Sequence, residues 1–298
     1  MRQKWRLLDT GALDAATNMA LEKVLLNSCL SGSVSNTLHL LEFHPCALLG
    51  YNQSLGDEVD EDFCRENGIE INRRISGGGC IYMDRGTLGW EIIAKKDTPG
   101  IPGNLEGMYG KLCGGLISAL SSFGIDASYR PLNDVEVGGR KISGAGGTEL
   151  GDSFIFHGTV LMDFDSDIMT KALRNHAGKR GGNREGTPES KSLEKLESKF
   201  ESECEGKLEN KQSTVQSLRT VCMRELLGAA PPVCIVKSRL MQAFSEILDI
   251  GFEPGELSRG EKEALAEELP LFCSNEWIYA ADRLRSRRGT KEPRWIVT

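Results

Sequence analysis

The spacing of apolar and polar positions changes several times along the chain, and each change predicts an element. Residues 11–27 bring Leu13, Asn18, Met19, Leu21, Val24 and Leu25 to roughly helical spacing behind Asp14, which predicts an N-capped first helix with no element before it. Residues 37–44 read as a strand stopped by Pro45, residues 46–49 as a second, and residues 69–75 alternate as a half-buried third with Arg73 near its end. Three glycines follow, and residues 80–82 and 88–94 then predict a strand–turn–strand unit.

Residues 104–123 carry Leu105, Met108, Leu112, Leu116, Leu120 and Phe123 on one helical face, closed by Gly124. Residues 135–137 and 140–142 flank Gly138-Gly139, a two-residue hairpin signal, and residues 154–164 give another strand. Residues 215–228 and 233–250 are predicted helices separated by Pro231-Pro232. Hairpins outnumber strand–helix–strand repeats, so the predicted fold is α+β, a largely antiparallel mixed sheet flanked by helices.

Two stretches break this patterning. Residues 174–214 are rich in Lys, Arg, Glu and Gly with few apolar positions, which predicts a charged, flexible insertion. Residues 283–298 form a basic end, either a solvated tail or a surface for an acidic partner. Without the insertion the remainder fits one domain spanning 1–298.

Composition narrows the function. Of 298 residues, 39% are hydrophobic and 27% charged, so a disordered or fibrous chain is excluded, and the net charge of −7 argues against a general nucleic-acid binder. No signal-peptide core and no membrane-length apolar run are present, which predicts a cytoplasmic protein. Nine cysteines without a Cys-x-x-Cys pair predict reduced thiols, and four histidines without ligand spacing predict no metal site. Glycine is the excess, at 34 residues, implying tight turns or backbone brought close to a ligand.

Three segments could carry chemistry. In Asn72-Arg-Arg-Ile-Ser-Gly-Gly-Gly-Cys-Ile-Tyr-Met-Asp84, the amides of Gly77, Gly78 and Gly79 could nest a phosphate or carboxylate neutralised by Arg73 or Arg74; equally, the run could be a glycine bend between strands with surface arginines. It is neither a P-loop nor a dinucleotide fingerprint. In Arg140-Lys-Ile-Ser-Gly-Ala-Gly-Gly-Thr148, Lys141 beside bare backbone could bridge a carbonyl and a phosphate, or be a solvated hairpin lysine; Asn133 and Asp134 could orient it or simply start a turn. His157-Gly-Thr159 is either part of the site or holds a satisfied core histidine.

In order and spacing these motifs resemble the lipoate–protein ligase and octanoyltransferase family. The resemblance includes residues 5–20, Leu49-Gly-Tyr-Asn-Gln53, the Arg-Arg-x-x-Gly-Gly-Gly-x-x-Tyr-x-Asp element, Gly139-Arg-Lys-Ile-Ser-Gly144 and His157-Gly-Thr-Val-Leu161. It implies a catalytic core akin to biotin protein ligase and class II synthetases. It also implies ATP-dependent activation of lipoate or octanoate, with Mg2+, to an acyl-adenylate, and transfer to a lysine of a lipoyl-carrier protein. By that analogy Arg73, Arg74 and Gly77–Gly79 hold phosphates, and Lys141 touches the carbonyl and α-phosphate. Asn133, Asp134, Tyr82, Asp84, Ser143, Gly144, His157, Gly158 and Thr159 line the site.

The resemblance is to the ligase branch. Octanoyltransferases need a thiol near the lysine, and residues 128–132 and 161–178 hold no cysteine, which leaves Cys80 as a candidate nucleophile or a small buried strand residue. Met83, Thr87, Gly89 and Gly146-Gly147-Thr148 depart from the family's usual residues. Many ligases also carry an accessory C-terminal domain; none is expected here, so a separate accessory subunit is one expectation. The alternatives are an ATP-independent acyltransferase and a non-catalytic lipoyl-binding homologue.

Overall fold

The computed structural model describes residues 2–131, 133–163, 165–174 and 219–286. Apart from Arg174, the expected insertion at 174–214 lies outside the described residues, as do residues 287–298 of the basic end.

Eleven strands and ten helices are found among the described residues. The strands are β1 (Gln3–Leu13), β2 (Thr37–Phe43), β3 (Cys46–Leu49), β4 (Glu70–Arg73), β5 (Ile81–Met83), β6 (Thr87–Lys95), β7 (Ser128–Arg130), β8 (Asp134–Val137), β9 (Arg140–Leu150), β10 (Ser153–Leu161) and β11 (Ile250–Pro254). The helices are α1 (Ala15–Ser31), α2 (Leu55–Glu58), α3 (Glu61–Glu66), α4 (Leu105–Ser121), α5 (Ser166–Ala172), α6 (Met223–Leu227), α7 (Val233–Leu248), α8 (Arg259–Phe272), α9 (Asn275–Ile278) and α10 (Ala280–Ser286). Eight strands form the main sheet in the order β11-β1-β2-β6-β10-β9-β8-β7, and β4-β3-β5 form a second. In the main sheet β1 runs parallel to β2 and β11 and every other pairing is antiparallel, so the expected α+β class with a largely antiparallel mixed sheet holds.

Side-chain alternation gives the central strands two different faces. On one, Leu88, Trp90 and Ile92 of β6 join Phe154 and Phe156 of β10 in a core closed by Leu112 and Leu116 of α4 and Leu240 and Phe244 of α7. The Trp90 and Phe244 rings lie 5.0 Å apart. On the other, Ile93 and Ile155 meet Leu25 and Leu26 of α1. Helix α1 is therefore buried on several sides, which explains why its sequence shows a broad apolar band. Its N-terminus is capped as expected, Asp14 accepting from the Thr17 amide at 2.8 Å.

Three sequence expectations need correction. The N-terminus forms β1 rather than running into the helix; Trp5 and Leu8 are buried, and pairing on both edges supplies the order that the weak alternation does not signal. The helix expected over 215–228 is interrupted at 220–222, where Thr220 bridges to Lys141, so α6 starts only at Met223 and ends at Gly228 with φ 81°; residues 215–218 lie outside the described residues. The chain after residue 250 adds β11 and α8, whose capping box between Ser258 and Glu261 is a readable Ser-x-x-Glu signal. Glu261 also pairs with Arg6 of β1 at 2.7 and 2.8 Å, tying the C-terminal helices to the first strand.

Candidate active site

The glycine loop leaves β4 beside β3, where it meets Gly50. A Cβ on Gly50 would lie 2.0 Å from the Gly78 carbonyl oxygen, so the two segments pack backbone against backbone. Gly78 itself adopts φ +97°, a conformation that side chains disfavour. Glycine at these two positions lets the loop fold back over β3 while keeping residues 77–79 bare.

Arg73 and Arg74 do not face this loop as free cations. Both are buried. Arg73 Nη1 donates to the carbonyls of Gly50, Tyr51 and Gln53 at 2.7–2.9 Å, and its Nε and Nη2 donate to Trp277 and Ile278. Arg74 donates to the carbonyls of Leu48, Gly77 and Gly79. These bonds shape the loop and brace its neighbours, while Arg74 Nε has no hydrogen-bond partner.

Lys141 stands where the β8–β9 hairpin meets the site. Gly138 and Gly139 turn the hairpin with φ values of 56° and 78°, as a two-residue turn requires. Lys141 Nζ pairs with Asp134 Oδ1 at 2.5 Å, and both side chains are partly exposed. The lysine reaches back over Gly144, where a Cβ would meet Nζ at 2.7 Å. Asn133 is locked to β9 by two bonds with the Ala145 backbone, at 2.8 and 3.0 Å. Thr159 Oγ1 accepts from the Gly144 amide at 3.3 Å, while the buried Ser143 Oγ has no hydrogen-bond partner. Gly158 sits against Trp90, whose indole leaves no room for a Cβ.

His157 belongs to a polar row that the apolar strands conceal. In register, His39 of β2 pairs with Glu91 of β6, Glu91 pairs with His157 of β10, and His157 pairs with Gly146 of β9. All point to the α1 side, and Glu22 descends from α1 onto them. Thr10 Oγ1 bonds His39 Nε2 at 2.9 Å, His39 Nδ1 bonds Glu91 Oε2 at 2.8 Å, and His157 Nε2 bonds Ser76 Oγ at 3.2 Å. Glu22 Oε1 lies 3.5 Å from His157 Nδ1.

The electrostatics of the row follow from burial. Desolvation and the neighbouring Glu22 hold the Glu91 carboxyl well above the usual range, so it keeps a proton. Burial alone would raise Glu22 too, but hydrogen bonding to and charge from His157 bring it below its ordinary value. Burial lowers His39 to about 4, so it is neutral. One ligand atom each from Glu22, Glu91 and His157 lies within 4.8 Å of the others. With a proton retained on Glu91, the two carboxyl groups form a hydrogen-bonded acid pair. Sequence reasoning missed Glu22, His39, Ser76 and Glu91; the readable signal was a single ionisable residue inside an otherwise apolar strand.

Tyr82 and Asp84 follow the loop on β5 and after it. Burial, with the nearby Asp163 and Asp165, raises the Asp84 carboxyl, and Tyr82 is raised by burial and by Asp84. Asp84 lines a cavity of about 310 Å³ with Asp163, Asp165, Asp167 and Arg224. The thiols near the core are poor nucleophiles: burial pushes Cys80 and Cys113 up to about 12 and Cys64 to about 11.

Backbone bare of side chains at 77–79 and a lysine ammonium are donors of the kind that an acyl phosphate anhydride needs. A sequence profile for the lipoyl protein ligase A/B catalytic domain matches residues 14–245, and the chain belongs to that family. Its members include both ligases and acyltransferases. The chain is 28% identical to octanoyltransferase LipM of Kyrpidia tusciae, over 93% of its own length and 99% of the relative's. It is 32% identical to lipoate-protein ligase LplJ of Bacillus subtilis over 54% of this chain and 46% of that one. In fold it is similar to an ATP-bound lipoate-protein ligase A (TM-score 0.73, 20% identity, 94% of this chain and 100% of that one). It is also similar to a bi-partite lipoate protein ligase from Thermoplasma acidophilum (TM-score 0.72, 21% identity, 94% and 97%). The chain is thus an enzyme of the lipoate ligase and octanoyltransferase family. None of its described helices is long and apolar enough to cross a membrane.

Proposed function

We propose that this protein is an ATP-dependent lipoate–protein ligase that activates lipoate or octanoate as the acyl-adenylate and transfers the acyl group to a lysine of a lipoyl-carrier protein. The observation that carries this reading is the Lys141–Asp134 pair lying beside the bare backbone at Gly144. Among the described residues, Cys80 and Cys113 are buried and their thiols are held protonated.

ATP is a substrate here, and Mg2+ would screen its phosphates. The acyl carboxylate attacks the α-phosphate, and pyrophosphate leaves. Lys141 neutralises charge on the shared oxygens, Ser143 Oγ and the amides of 77–79 add donors, and Asp134 keeps the ammonium in place between turnovers. The carrier lysine then attacks the carbonyl and displaces AMP. Arg73 and Arg74 contribute by holding the loop. We read the chain as a single catalytic domain that works with a separate accessory chain, a reading in keeping with the bi-partite make-up of the Thermoplasma acidophilum ligase.

A second reading is favoured by the near full-length match to an octanoyltransferase: transfer from an acyl-thioester without ATP. Incubation with lipoate, Mg-ATP and an acceptor carrier domain, followed by intact mass measurement, separates the two. Acyl gain that needs ATP supports the ligase. Gain from octanoyl-carrier without ATP, lost in Cys80→Ser, supports the transferase, and no gain with any donor, including the pre-made adenylate, leaves a binding homologue.

A further inference from the structure

We propose that Glu22 is a positioning residue that fixes the His157 ring with Nδ1 protonated, so that Nε2 accepts the proton released when the carrier lysine attacks the acyl carbonyl. This rests on the reading of the site as an acyl-transfer centre, and it gives that site a proton acceptor that Lys141, being cationic, does not provide.

The placement follows from β9. Gly144 and Gly146 are two residues apart on one strand and share a face. A Cβ at Gly144 would touch Lys141 Nζ at 2.7 Å, and a Cβ at Gly146 would touch His157 Nε2 at 3.1 Å. The cationic tip and the imidazole nitrogen therefore stand over one stretch of bare backbone, above two glycines whose Cα atoms are about 7 Å apart at the strand rise. Ser76, bonded to Nε2, belongs to the glycine loop and joins this nitrogen to the amide donors. The imidazole spans the sheet side of the site, with one nitrogen toward the loop and one toward α1.

On the α1 side, the group nearest Nδ1 is the carboxyl of Glu22, almost wholly buried, at 3.5 Å. That is a charge contact slightly longer than a hydrogen bond, the range in which such pairs stand before substrate closes the site. The titratable and charged groups around Glu22 leave it ionised. Glu91 on β6 keeps its own proton and can donate it towards Glu22. His39 on β2 is neutral and bonds the far side of Glu91. Arg74, beyond β4, adds positive charge toward Glu22. An ionised Glu22 accepts from Nδ1–H, which leaves the Nε2 lone pair toward Ser76 and the site.

The step balances. The neutral amine of the carrier lysine attacks the carbonyl, a C–N bond forms, and the C–O bond to AMP breaks with the electron pair leaving on the phosphate. The surplus proton on nitrogen passes to His157 Nε2, and from there to water. No oxidant, reductant or further reactant is needed.

The test uses the full-length protein in two arms. In single-turnover transfer from pre-made acyl-adenylate to a carrier domain, Glu22→Gln should lower the rate, since the carboxylate that orients the imidazole has been removed. His157→Gln should lose about 100-fold, the lower range for loss of a proton-transferring group, and Glu22→Asp should recover part of the Glu22→Gln loss. In the second arm, nitrogen NMR of labelled histidine should find Nδ1–H in the wild type and a shift toward Nε2–H in Glu22→Gln. Transfer at the wild-type rate in both variants overturns the proposal while the ligase reading stands. Failure of the wild type to transfer from adenylate overturns that reading and the proton role with it. An Nε2–H wild type, or a tautomer indifferent to Glu22, overturns the positioning role whatever the activity.

Discussion

The indole N–H of Trp277 donates to the backbone carbonyl of Arg73 at 2.9 Å, across 204 positions of sequence, while the Arg73 guanidinium donates back to the Trp277 and Ile278 carbonyls. This reciprocal clasp fastens α9 to the strand that launches the glycine loop. Trp277 also packs on Phe272, with ring centroids 4.8 Å apart, so the clasp is continuous with the α8 core. Arg73 is therefore a structural rivet between β4 and α9.

Loss of that rivet should cost stability first. Arg73→Ala leaves several buried carbonyls without a donor, each worth roughly 1–3 kcal/mol. We expect a loss of about 3–5 kcal/mol, against about 1 kcal/mol for Trp277→Phe, read by chemical denaturation. A marginal effect of Arg73→Ala on stability with a selective rise in KM for ATP would instead restore a phosphate role.

Lys141 should behave in the opposite way. Its side chain is partly exposed and its partner Asp134 is also accessible, so the pair adds little to folding, about 0–1 kcal/mol. Lys141→Ala should therefore unfold within a few degrees of wild type while acyl transfer falls by at least about 100-fold, the effect of losing one donor to a charged transition state. A fully active variant would remove Lys141 from the mechanism.

Gly50→Ala tests the backbone contact. With the added Cβ calculated at 2.0 Å from the Gly78 oxygen, the loop must move or β3 must shift. Overpacking of this kind costs about 1–3 kcal/mol. Activity should fall more than stability does, because the displaced amides are those expected to meet the ligand; equal losses in both would point to a purely structural loop.

The buried acid pair predicts a pH signature in stability. Glu91 holds its proton more tightly folded than unfolded, so its contribution is present below the ordinary carboxylate value and fades as pH rises through its raised value. Glu91→Gln, always neutral, should flatten the alkaline fall of the thermal midpoint. His39 works in the other direction: it titrates near 4 folded and near 6.5 unfolded, so the unfolded state gains protons first and stability drops as pH falls across that window. His39→Gln should remove that acid-side slope. Unchanged slopes in both variants would mean that the row titrates normally.

Cys80→Ser should leave acyl transfer intact if ATP drives it. The thiol is buried and pushed up to about 12, so little thiolate is available near neutral pH. Complete loss of activity in a folded variant would favour the thioester route instead.

Much of the molecule is determined by local sequence. Asp14 before an apolar band, Gly138-Gly139 between short strands and the 104–123 periodicity each specify an element through contacts within a few residues; the hairpin and the 105–121 helix form where expected, and the first helix starts at Ala15 directly behind its Asp14 cap. The ordered motifs were enough to identify the family, and the chemical roles of Lys141 and the glycine run were assigned through it. What local sequence leaves open is the partner of each charged group. Arg73 and Arg74 read as exposed cations because their acceptors are carbonyls contributed by residues 48–53, 77–79 and 277–278, which no local pattern pairs with them. Glu91, His39 and His157 looked like isolated polar residues in three separate strands. Sheet register aligns them, and α1 delivers Glu22 on top. Hydrophobic period and turn chemistry are short-range properties, so the sequence determined the elements by itself. Which charges are neutralised, which keep a proton and which remain free for a ligand depend on neighbours brought together by strand pairing and helix docking, and only the tertiary structure decided them.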